Sequence, residues 1–90
     1  MTTNTCASKI TYNSVEDLLS EPFLQIRTNK AKTMFDEGKS EKWPNCPESG
    51  TLCAWRTWID HAAAQEFIDF VLLNAPTYNV TIVSSEIVDI

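Results

Sequence analysis

The clearest pattern in the chain is a change of period at Asp60: residues 51–59 (TLCAWRTWI) alternate in twos, and the residues after it repeat at helical spacing. That switch predicts a strand running into a helix. Asp60 is a suitable N-cap, because its carboxylate can accept from the free N–H groups of the first turn. Ile59 just before it is placed to pack on Ala64 as a hydrophobic staple. The helix, over residues 61–73, carries Ala64, Phe67, Ile68 and Val71 at i, i+3, i+4 and i+7, with Gln65, Glu66 and Asp69 on the opposite face. Upstream, Cys6–Tyr12 alternates and reads as a first strand. Ser14 caps a short acidic turn over residues 15–19. A second helix over residues 21–37 has Pro22 in its first turn and an apolar stripe of Phe23, Ile26, Ala31, Met34 and Phe35, and Gly38 closes it at the position that takes left-handed backbone angles. Residues 39–46 contain Pro44, so a strand there should be irregular or at an edge. The turn Pro47, Glu48, Ser49, Gly50 then makes a hairpin with the strand of residues 51–59. A last strand is predicted over residues 78–85, and the apolar tail with Ile87, Val88 and Ile90 should prolong it or pair with something.

The order strand, helix, strand, strand, helix, strand predicts a ferredoxin-like βαββαβ domain over residues 1–90. Its four-stranded antiparallel sheet would carry both helices on one face, and residues 1–5 would be frayed. One sheet face then lies open. If Ile59 tucks under the second helix, Thr57, Trp55 and Cys53 share its side, and Leu52, Arg56 and Trp58, joined by Val83 of the last strand, point outward. Tryptophan and arginine are enriched where interfaces draw their energy, so these four residues are the expected centre of a homodimer interface. A one-residue change of register would exchange the two faces. For a small-molecule pocket, the residues on offer are Tyr12, Trp55 and His61.

Composition narrows the functions. With 90 residues the chain is one domain, small enough that help from a partner subunit is reasonable. A net charge of −5 repels phosphate backbones and anionic lipid, which argues against nucleic-acid and membrane partners. Arg27, Lys30, Lys32, Lys39 and Lys42 read as a solvated helix face. The first residues lack a signal-peptide pattern and no apolar run is long enough to span a bilayer, so a cytoplasmic product is expected. Cys6, Cys46 and Cys53 form no CxxC pair and read as reduced thiols, with a Cys46–Cys53 contact across the hairpin left open. No metal-ligand spacing or glycine-rich phosphate loop is present, so no cofactor is expected and no catalytic residue is assigned. The paired carboxylates Glu16/Asp17, Asp36/Glu37 and Glu66/Asp69 fit solubility and capping better than acid–base work.

The stretch WRTWIDHAAAQEF resembles the dimeric α+β barrel group that includes the antibiotic-biosynthesis-monooxygenase-like proteins, at Arg56, Trp58, Asp60, Ala63 and Phe67. That resemblance implies two subunits packed sheet against sheet, and in catalytic members a pocket between sheet and helices with cofactor-independent monooxygenase-like chemistry. The Gly38-Lys39 turn followed by a hairpin also resembles small uncharacterised tailed-phage proteins, which implies nothing about activity. RNA-recognition modules share the element order, but residues 51–58 lack their glycines and aromatic spacing. The leading expectation is a non-enzymatic interaction module that homodimerises through its open sheet face, with a dimeric small-molecule-binding protein or enzyme as the alternative.

Overall fold

A computed structural model describes residues 3–41 and 52–90. The elements are β1 (Cys6–Tyr12), α1 (Val15–Leu18), α2 (Glu21–Asp36), β2 (Cys53–Trp58), α3 (His61–Asn74), a 3-10 turn (Ala75–Tyr78) and β3 (Ile82–Asp89). Local chemistry sets most of these limits. The Ser14 side chain accepts from the Asp17 N–H at 3.2 Å and starts α1. Asp60 accepts from the Ala63 N–H at 2.8 Å and starts α3. Gly38, at φ +83°, ends α2 in the left-handed region that a side chain would disfavour. Asn4 and Thr5, expected to fray, are tied down: Thr5 donates its N–H to Trp58 O and accepts from the Ile90 N–H, and the Asn4 amide donates to Thr57 Oγ1 at 3.0 Å.

The expected four-stranded ferredoxin-like sheet is not what the structure has. Among the described residues the sheet has three strands in the order β2-β1-β3, with both pairings antiparallel. Where a fourth strand was expected to begin, the chain meets β2 differently. Lys39 O accepts from the Ile59 N–H at 3.0 Å, beyond the end of β2, and the Ser40 hydroxyl donates to Thr57 O at 3.0 Å, a side-chain bond rather than a ladder rung. The rest of the expected edge strand and its turn, residues 42–50, lie outside the described residues. The last strand also starts later than expected. The chain leaves α3 through the 3-10 turn and reverses at Asn79, at φ 57°, a conformation asparagine tolerates better than most residues.

One hydrophobic core lies between the sheet and the helices. From β1 it takes Cys6, Ile10 and Tyr12, from β2 Trp58, from α2 Phe23, Ala31 and Met34, and from α3 Ala63, Ala64, Phe67, Ile68 and Val71. A cluster of ion pairs at its edge ties the helices: Glu66 of α3 receives Lys39 Nζ at 2.8 Å and Lys30 Nζ at 3.2 Å. Among the described residues no helix is long and apolar enough to cross a membrane.

Candidate functional site

Alternation along β1 sorts the sheet into two chemically distinct faces, because antiparallel partners directly opposite one another point the same way. Cys6, Ser8, Ile10 and Tyr12 face the helices, opposite Trp58, Arg56 and Ala54 on β2 and Ile87, Ser85 and Ile82 on β3. Ala7, Lys9 and Thr11 face away, opposite Thr57, Trp55 and Cys53 on β2 and Val88, Glu86 and Ser84 on β3.

On the inner face Trp58 is 0% exposed and its ring lies 5.1 Å from that of Phe67. Its indole N–H donates to Ser8 Oγ at 2.9 Å, so the buried donor is satisfied by a buried acceptor. Burial pushes the Cys6 thiol above its ordinary pKa. Two arginines also reach this layer, Arg27 at 4% exposure and Arg56 at 9%. Arg27 donates to the Tyr12 hydroxyl and, at 2.9 Å, to Leu18 O, and its guanidinium lies over the Tyr12 and Phe23 rings at 4.9 and 5.3 Å. The Arg56 guanidinium lies 5.6 Å from the Phe67 ring centre. Both arginines line a cavity of about 150 Å³ at the corner where α1, α2 and the sheet meet.

The outer face carries a different row. Lys9, on the central strand, places Nζ 5.2 Å from the Trp55 ring centre on one side and 3.5 Å from Glu86 Oε1 on the other. Ala7, Thr57 and Val88 form the adjacent row.

The expected face assignment is therefore reversed. Arg56 and Trp58 belong to the helix-covered side, whereas Trp55, Thr57 and Cys53 belong to the outer one. The reason lies at Ile59. β2 ends at Trp58 and Ile59 sits in a bend whose N–H goes to Lys39 O, so the phase inferred from the staple does not carry back into the strand. Leu52 is half-buried just before β2, and its carbonyl accepts from the Tyr12 N–H. Val83 is exposed in a bulge, where the register shift between Thr11 and Tyr12 leaves it without an opposite residue. The three pocket residues are not brought together. Tyr12 lines the inner cavity, Trp55 lies on the outer face, and His61 is exposed at the start of α3 with Nε2 2.6 Å from Asp89 Oδ1. Sequence reasoning missed Arg27 by placing it on a solvated face. Its spacing held the signal, since it stands four residues after Phe23 and four before Ala31, both buried on α2. Among the described residues no group of acidic, cysteine or histidine side chains is arranged to hold a metal ion.

No protein-family model matches the chain, and no curated protein or solved structure matches it either.

Proposed function

We propose that this chain is a non-enzymatic interaction module that pairs with a second copy of itself through the outer face of its sheet. The observation that carries the reading is the Trp55–Lys9–Glu86 row, which crosses all three strands on the side away from the helices. Tryptophan is the residue most enriched among interface anchors. A cation and an anion side by side are also self-complementary, because a two-fold rotation can bring the lysine of one copy near the glutamate of the other. The face is small, about 14 Å by 23 Å for three strands of six to eight residues, so it falls short of the roughly 800 Å² per partner typical of tight complexes. Association is accordingly expected in the micromolar range or weaker.

Light scattering during size exclusion, from about 1 μM to 1 mM, tests it. The wild type should pass from monomer to dimer and Trp55→Glu should stay monomeric. Lys9→Glu and Glu86→Lys should each be monomeric alone and pair when mixed, because only a contact between copies is restored by mixing. A wild type that remains monomeric at 1 mM sinks the proposal.

A further inference from the structure

The inner cavity supports an inference independent of self-association: we infer that it is a binding site for a small monocarboxylate with a compact apolar tail. The argument starts from Arg27. It is 4% exposed, yet its hydrogen-bond acceptors are neutral oxygens, the Tyr12 hydroxyl and Leu18 O. Its buried Nε donates to nothing. Arginine stays protonated at any physiological pH, so α2 holds a desolvated cation beside an unused donor. Such a group is costly to bury and is normally accompanied by a carboxylate. Among the described residues no acidic side chain lines the cavity, whose wall also includes Arg56. Among the described residues, then, the cavity walls supply no anion to balance Arg27.

Shape and lining define the rest of the ligand. Away from the arginines the walls are apolar, with Ile10, Leu18, Leu24 and Phe67 among them. A cavity of about 150 Å³ is the size of one that accepts a benzene ring. Two of its lining residues near the α1–α2 junction, Leu19 and Leu24, are partly in solvent. A carboxylate would meet the planar fork of Arg27 at the inner end, and a tail of roughly six carbons would fill the apolar part. The chain's net charge of −5 gives no long-range attraction to an anion, so recognition falls to this short-range contact.

Benzoate is the probe and benzamide, its neutral isostere, the control. Both are titrated into the full-length chain, following the methyl resonances of Leu18 and Leu24 and the melting temperature. Benzoate at ten times its Kd should raise the melting temperature by roughly 7 °C and shift both residues, whereas benzamide should bind at least tenfold more weakly. In Arg27→Met, a change of similar length without charge, benzoate affinity should fall at least tenfold and the preference over benzamide should vanish. Should that variant fail to fold, the comparison of the two probes on the wild type decides alone. Equal binding of the two compounds, binding of neither, or undiminished benzoate affinity in a folded Arg27→Met overturns the inference.

Discussion

Trp55 and Trp58 stand three residues apart on the same strand and have opposite fates. Trp58 is sealed between β1 and α3 with its N–H satisfied by Ser8, while Trp55 lies half-buried on the other side against an aliphatic ammonium stem. The two faces of one sheet thus spend the same side chain differently. The inner face converts aromatic area into fold stability, and the outer face keeps it available in water, flanked by charges that hold it soluble. The charges differ in the same way. Lys9 and Glu86 neutralise each other where solvent screens them, whereas Arg27 is withdrawn from solvent with only neutral acceptors.

Thiol chemistry gives the sharpest test of this contrast. In a Cys46→Ser background, Cys53 on the outer face should react promptly with a disulfide reagent. Cys6, buried and held above its ordinary pKa, should react only through unfolding, about 10³-fold or more slowly. Comparable rates would mean that the inner face is open. Next in size, Trp58→Ala should cost about 3–5 kcal/mol in denaturant unfolding. Ser8→Ala, which leaves the buried indole N–H without its acceptor, should cost about 1–2 kcal/mol.

A smaller effect belongs to the ion pairs joining the helices. Glu66 is held below the ordinary carboxylate pKa, first by the Lys39 hydrogen bond and then by that of Lys30. Its stabilisation is therefore complete above pH about 4.5, the ordinary glutamate value, and is lost as pH falls through the lower folded-state value. Because the group is partly exposed, Glu66→Gln should remove less than ~1 kcal/mol at pH 7 and flatten the acid limb of the stability profile. Of the same small size, Trp55→Ala should change the monomer's stability by about 0.5–1 kcal/mol, the worth of one exposed cation–π contact. A loss there approaching that of Trp58→Ala would erase the distinction between the faces.

Much of the framework was legible because single residues mark its boundaries. Ser14 starts α1, Gly38 ends α2 and Asp60 starts α3, each through its own side chain or backbone freedom. Features that depend on what lies across the fold were not legible. The facing of β2 turns on a bend at Ile59 that only its partner Lys39 explains. The start of β3 depends on Asn79 adopting a left-handed conformation that the alternation of Tyr78, Val80 and Ile82 conceals. The expected fourth strand rests on a turn signal alone, whereas the structure joins Ser40 and Glu41 to β2 and to Asn4 through side-chain bonds. The charge of Arg27 suggests solvent, but its helical position sets it between Phe23 and Ala31, both buried.

The middle strand of the sheet is also the first one in the chain, and its register joins Cys6 to Asp89. Contacts of such long sequence separation close slowly. A chain in which β1 and β2 have paired but β3 has not yet docked therefore presents one free edge of the central strand, an open template for pairing with another chain.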